Sequence, residues 1–222
     1  MGCSDQAQPV LNLLYYEYLV DEQSAKFVQE VSRRYSIGTL ERMAEFGPRP
    51  ARRAATLALG FLADFGSNGV FGRRLNDPDR CVRMLADNGI RDIWCRDGSV
   101  SQQQQLQIII RLNVAGQHEQ AICAASRLQA QTPWFAEAWN QRAIAHFHQG
   151  ALSPAARDCR QALELNPYHF EAAVGMAQCY LELADGYAAL DAFRRALKLN
   201  PGLEGVRAQV TLLERTLEEK EG

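Results

Sequence analysis

What the chain lacks narrows it first. No apolar run approaches the roughly 18–20 residues that cross a bilayer, so no membrane span is expected. Met1-Gly2-Cys3-Ser4 leads directly into polar residues, which does not read as a secretory leader. The six cysteines (Cys3, Cys81, Cys95, Cys123, Cys159 and Cys179) contain no C-x-x-C pair. Neither a disulfide framework nor a zinc site is expected from them, and a reducing compartment fits best. The phosphate-loop, dinucleotide, zincin and nucleophile-elbow patterns are all missing. So is any strong charge imbalance: 24 Lys and Arg against 26 Asp and Glu give a formal charge of −2. That balance supplies no global pull toward nucleic acid or an anionic membrane. A chain that is 47% hydrophobic and 23% charged is not disordered throughout. The absences point away from catalysis, cofactors and metals.

Local features leave three smaller questions. Between Gly47 and Gly98 nine Arg stand against six Asp, an excess read as solvated helix faces rather than a phosphate-binding stripe. His118, His146, His148 and His169 invite a metal reading. His146 and His148 are two apart on a helix, however, so they point to different sides, one packed and one solvated. At the N-terminus an unmodified cytoplasmic start is expected. The alternative is a lipid anchor, through Gly2, although Gln6 stands where a myristoylation motif has Ser or Thr, or through Cys3 as a lipoprotein remnant.

What is present is a register of 34. Pro133, Pro167 and Pro201 are 34 apart, as are Gln131, Leu165 and Leu199. The same step carries Ala121 onto Ala155 and Ala189, and Leu128 onto Ala162 and Ala196. A period of this length with fixed small residues and a closing proline marks stacked helix–turn–helix units. Small side chains at Ala143, Ala155 and Ala162 let antiparallel helices approach, while Trp139 and Leu163 fill the gaps. Asn166-Pro167 stops a helix, because proline disfavours helical geometry before it and cannot donate its own N–H. One helix pair cannot bury its apolar stripe, so the pairs stack and share a core. Beyond Pro201, Val206, Val210, Leu213 and Leu217 form the stripe of a capping helix, and Glu218 to Glu221 are expected to fray.

Residues 102–203 resemble the tetratricopeptide repeat in three copies, about 102–135, 136–169 and 170–203. The second places Trp139, Ala143, Gly150, Ala155, Ala162 and Pro167 at the family's aromatic, small, turn and closing positions. The third supplies Ala177, Tyr180, Ala189, Phe193, Ala196 and Pro201. The first keeps Gly116, Ala121 and Pro133 but has Gln105 and Ile109 where an aromatic and a small residue are usual. The resemblance implies that the first helix of each pair lines a concave groove. The groove positions are then Gln103, Leu106, Ile110 and Asn113, followed by Glu137, Asn140, Ile144, Phe147 and His148, and by Glu171, Val174, Gln178, Leu181 and Glu182. Such a surface suits an extended peptide or a partner helix, with Asn140 and Gln178 able to bond main chain. The bland alternative is that Leu106, Ile110 and Phe147 pack against neighbouring helices. Members that clamp a C-terminal carboxylate use Lys and Arg; none stands at these positions. Arg142 replaces a usual leucine, so its stem is expected over apolar surface with the guanidinium on a nearby carboxylate.

The N-terminal part carries a different pattern. Leu11, Leu14, Tyr15, Tyr18 and Leu19 have helical spacing, and a second helix over about 22–34 carries Ala25, Val28 and Val31. Thr39 is read as an N-cap, with Arg42 where a capping box has Glu. A period near 30 links Pro48 to Pro78 and Arg53 to Arg83. Asp77-Pro78-Asp79-x-x-Val82-Arg83 resembles the turn of short HEAT repeats, over about residues 36–96. That resemblance implies that Asp77 and Arg83 form an inter-repeat ladder; Gly47 breaks the pattern at the earlier turn. Gly60, Gly66, Gly69 and Gly72 are assigned to helix ends and turns. Arg96 to Ser99 reads as a hinge, and Ser99 or Ser101 as the next cap.

The expected architecture is all-α, an alpha-solenoid of stacked antiparallel helix pairs. N-terminal helices occupy 1–35, a HEAT-like segment 36–98, and tetratricopeptide repeats 99–222, with the capping helix over 204–219. The expected function is a non-catalytic protein–protein interaction module or adaptor holding a peptide or helix of a partner protein. An accessory protein or pigment lyase of the short HEAT-repeat type, acting on a small molecule such as a bilin, is the alternative. A periplasmic lipoprotein scaffold is the third reading.

Overall fold

The computed structural model describes residues 9–221, so the lipidation readings at Gly2 and Cys3 lie outside it. Regular structure among the described residues is entirely helical, and the chain divides into two compact units, Met1–Ile93 and Trp94–Gly222.

The first unit contains α1 (Val10–Asp21), α2 (Ser24–Ser32), α3 (Ile37–Phe46), α4 (Arg49–Leu62), a 3-10 turn at Phe65–Ser67, α5 (Asn68–Arg74) and most of α6 (Arg80–Cys95). Leu11, Phe27, Val31, Leu40, Ala54, Ala58, Phe71, Val82 and Ile90 form its interior. Helix α1 is apolar on every side, and only part of it is covered. Leu11 and Tyr15 are buried, whereas Leu19, expected on the core stripe, is exposed with Leu13, Tyr16 and Val20. The cap of α3 lies three residues before the expected one. Ser36 Oγ accepts from the Thr39 N–H, which places Thr39 inside the first turn. Helices α4 and α6 meet at glycines: a Cβ on Gly89 would stand 3.2 Å from Gly60 Cα and 2.5 Å from the Phe71 ring.

Charge also holds this unit together. The Asp77 side chain has 0% exposure. It accepts two bonds from Arg52 (2.9 and 3.0 Å), one from Arg74 (2.9 Å) and one from the Asp79 N–H. Arg53 grips Asp79 with a second two-pronged pair at 2.9 and 2.7 Å. The Arg53 guanidinium is the main reason that the Asp79 carboxyl is held down to about 2. Two expectations are corrected here. Arg83 reaches the Asp77 carbonyl rather than its carboxylate, so Arg52 is the arginine that pairs with the turn aspartate. And Arg52, Arg53 and Arg74 are partly buried ion-pair partners, not a solvated face.

The second unit stacks three hairpins: α7 (Val100–Val114) with α8 (His118–Gln131), α9 (Ala136–His148) with α10 (Leu152–Leu165), and α11 (Phe170–Glu182) with α12 (Gly186–Leu199), followed by α13 (Glu204–Glu221). Ala121, Ala143, Ala155, Ala162, Ala177, Ala189 and Ala196 are all buried where the helices approach, and Trp139 and Tyr180 pack against them partly exposed. The three hairpin turns require a left-handed residue. Gly116 (φ 71°) and Gly150 (φ 74°) supply it freely, and Ala184 (φ 60°) occupies the third against its preference. Each second helix stops two residues before a proline, with the buried C-caps Thr132, Asn166 and Asn200 standing ahead of Pro133, Pro167 and Pro201, the two asparagines in extended geometry. Ser99 caps α7 in a reciprocal capping box with Gln102. Val206 and Val210 seat α13 on the last hairpin. The helix continues through Glu221, so the expected fraying at 218–221 is not seen, and Glu218 and Glu219 are exposed.

Candidate protein-interaction groove

The first helices of the hairpins, α7, α9 and α11, carry the groove positions, and these fall into a closed stretch and an open one. Leu106 is fully buried, and Glu137 and Asn140 are only 4% and 3% exposed. The reason is a buried cluster at the start of α9 and α11. Glu137 accepts from Asn140 (3.2 Å), Gln141 (2.7 Å) and His169 Nε2 (2.8 Å). His169 is the N-cap of α11, and its Nδ1 accepts from the Ala172 N–H at 3.2 Å. A ring accepting at Nδ1 is assigned its proton on Nε2, which donates to the Glu137 carboxylate. Trp94 covers the pair, stacked on the His169 ring at 4.1 Å between centroids and 5.2 Å from Phe170. Burial alone would raise the Glu137 carboxyl, but the His169 ring and the two amides outweigh it and hold it below its ordinary value.

Several groove positions are therefore engaged internally. Glu137 and Asn140 satisfy one another, and Leu106 lies in the core with Ile109 and Phe135, so none of the three offers a free surface. Gln103 donates to the Arg96 and Gly98 carbonyls, tying down the segment before α7. Asn113 reaches across to Gln141 on α9, bonding its carbonyl at 2.8 Å and its side chain at 3.0 Å. Ile110 is half-buried against the first hairpin's core. Arg142 lies 5.0 Å over the Trp139 ring and pairs with Asp158 through two bonds of 2.7 and 2.8 Å.

The open stretch begins in the second half of α9. Ile144 and Phe147 are half-buried, and Phe147 packs on Ala155, Ala156 and Cys179. His148 is exposed and stacks on His118 at 4.8 Å, while His146 is half-buried near Asp158. On α11, Val174 and Leu181 flank the core, Glu171 is half-buried, and Gln178 and Glu182 face solvent. One further step of 34 carries Val174, Gln178 and Leu181 onto Ala208, Leu212 and Arg215 of α13. All three are exposed, Leu212 at 65%. Sequence reading assigns α13 only a capping role and so misses these positions, although the 178-to-212 spacing is available to it. Among the described residues no group of three or more His, Cys, Asp or Glu could hold a metal, and no helix is long and apolar enough to cross a membrane.

Stacked hairpins with alanines at the crossings, left-handed turns and a terminal seated helix define an α-solenoid of helical repeats. Residues 136–169 match the tetratricopeptide repeat family model. A TPR repeat-containing protein of Rhizobium etli is 28% identical over 141 residues, which cover 64% of this chain and 68% of that protein. The first TPR of Spaghetti (RPAP3), solved with an HSP90 peptide, SRMEEVD, superimposes with a TM-score of 0.52 at 19% identity, covering 55% of this chain and 96% of that one. A thermophilic TPR protein from Thermus thermophilus gives a TM-score of 0.40 at 17% identity over 91% of this chain and 96% of that one. The chain thus carries a tetratricopeptide repeat at residues 136–169 and is similar to repeat proteins of that kind in sequence and in fold.

Proposed function

We propose that the second unit is a protein-interaction module acting by binding rather than catalysis, and that its open stretch on α9, α11 and α13 holds a peptide or helix of a partner protein. The observation carrying this reading is the solvent-facing row Gln178, Glu182 and Leu212, set beside half-buried Phe147, Val174 and Leu181. Apolar side chains at helical spacing offer anchor sites, and an exposed amide among them can bond a partner's main chain. A related fold holds the acidic peptide SRMEEVD. Here the groove positions of α7, α9 and α11 include no Lys or Arg and, beside the buried Glu137, carry Glu171 and Glu182, while Arg215 joins only at the α13 end. Like charge disfavours an acidic tail on such a surface and favours a partner with apolar anchors and basic flanks.

The test is selection of peptides from a random display library on the full chain, followed by titration of the selected peptides. Leu212→Asp and Gln178→Ala are expected to weaken binding by about tenfold or more, the scale of losing one anchor contact, with SRMEEVD showing no measurable affinity. Unchanged binding to both variants, with their helical content intact, would remove the groove assignment.

A further inference from the structure

Helix α1 turns an apolar face to solvent. Val10, Leu13, Tyr16 and Val20 recur at steps of three and four residues, which puts them on one side of the helix, opposite buried Leu11 and Tyr15. Val20 is 87% exposed, and Val10, Leu13, Tyr16 and the flanking Leu19 are each about half exposed. Helix α13 is different in kind: Leu212 is the one large apolar side chain among its described exposed residues. The charge on the α1 face, Glu17, is offset by Lys26 at 3.4 Å. No Lys or Arg stands on α1 itself, so the face lacks the basic rim that seats a helix on an anionic membrane.

We propose that this face is a self-association surface, on which α1 of one chain packs antiparallel against α1 of a second copy about a two-fold axis. Such an axis needs a patch that complements itself. The stripe has a valine near each end, so an axis at the middle of the helix sets Val10 of one copy against Val20 of the other, with Leu13 and Tyr16 between them.

Charge argues for the antiparallel sense. Asp21 ends α1 and exposed Glu22 is its C-cap, while the first turn holds no acidic residue and the last turn no basic one. Negative charge there opposes the dipole of its own helix. In the antiparallel pair it lies beside the N-terminal end of the other copy's α1, where negative charge is favoured. Area sets the strength. The five exposed side chains present about 500 Å² per chain, the size of a functional patch on a monomer. Joining two copies removes about 1,000 Å² from water, where specific interfaces begin, so the dimer is weak and concentration-dependent. Two joined chains also present two open stretches, a consequence that rests on the partner-binding reading.

The experiment is sedimentation equilibrium of the full chain from micromolar to millimolar concentration. No partner is added, so its outcome is separate from that of the groove. The mass should rise from 24.8 kDa toward twice that value. Leu13→Asp and Val20→Asp alter exposed residues, so helical content should hold while association weakens by about tenfold or more. Leu212→Asp should leave association unchanged. Val10→Lys and Val20→Glu should each associate poorly alone and pair when mixed, because the antiparallel contact brings position 10 against position 20. The proposal is overturned if the wild-type chain stays monomeric throughout, which would leave the face to another occupant. It is equally overturned if Leu13→Asp and Val20→Asp associate like the wild type, or if the mixed Val10→Lys and Val20→Glu chains do not pair.

Discussion

The two compact units hold their helices together by different means. In Met1–Ile93 a fully buried carboxylate collects Arg52 and Arg74, and a neighbouring one collects Arg53. In Trp94–Gly222 alanines at a fixed period bring helices together, and the two-pronged Arg142–Asp158 pair is added at one crossing. A buried ion network is strong only while complete, since removing one member strands the others without water. Alanine contacts fail in the opposite direction: they tolerate little gain in volume. The units should therefore be broken by opposite kinds of substitution.

The largest effect is expected in the first unit. Asp77→Ala leaves two partly buried guanidiniums without their shared acceptor and should cost about 3–5 kcal/mol, read by urea denaturation of the full chain. Amide exchange should rise in the first unit and stay level in the second. A loss below about 1 kcal/mol would reduce the network to surface pairing.

The matching lesion in the second unit adds volume. Ala162→Leu inserts methyl groups where the residue has no exposure and should cost about 2–3 kcal/mol. Ala162→Gly, which adds nothing, should cost about 1 kcal/mol through helix propensity alone. Equal losses from both would mean that close approach is not what the alanines provide.

Acid should act on both units, with the same sign. The Asp79 carboxyl falls from an ordinary 3.8 to about 2 on folding, so the folded state binds fewer protons there. Its contribution is complete above pH 4 and is lost as pH falls from about 4 to about 2. Glu137 is likewise lowered from 4.5, and its contribution fades as pH falls through the lowered value. Thermal melts across this range should decline steadily, and Asp79→Asn should flatten the part between 4 and 2. A melt that improved on acidification would contradict both assignments.

The smallest effect is a gain. Ala184 holds the left-handed turn that Gly116 and Gly150 hold in the other hairpins. Ala184→Gly should stabilise by about 0.5–1 kcal/mol, visible as a modest rise in melting temperature. No change would mean the turn carries little strain.

Periodic features of the second unit are legible in the sequence because a repeat writes its geometry at fixed spacing. The buried alanines, the helix stops at Asn166 and Asn200, and the glycine turns all follow from the 34-residue step. The groove is less legible because burial there depends on residues far apart in the chain. Nothing local shows that Trp94 will stack on His169, or that Glu137 will spend its acceptors on three neighbours. In the first unit the turn aspartate stands out, but Arg52 and Arg83 are equally arginine until the helices are placed. Thr39 and Ser36 differ as caps only by where the chain turns. Leu212 lies off the apolar stripe of α13, on the face that reads as charged, although it stands one period beyond Gln178.

The most direct test of the account is photo-cross-linking of a display-selected peptide to chains carrying a photoreactive residue at a single position. Gln178 and Leu212 probe the open stretch, and Phe46, exposed at 82% in the first unit, is the control. The account predicts cross-links from positions 178 and 212 and none from 46. Capture from position 46, with 178 and 212 silent, would place binding in the first unit and contradict the account.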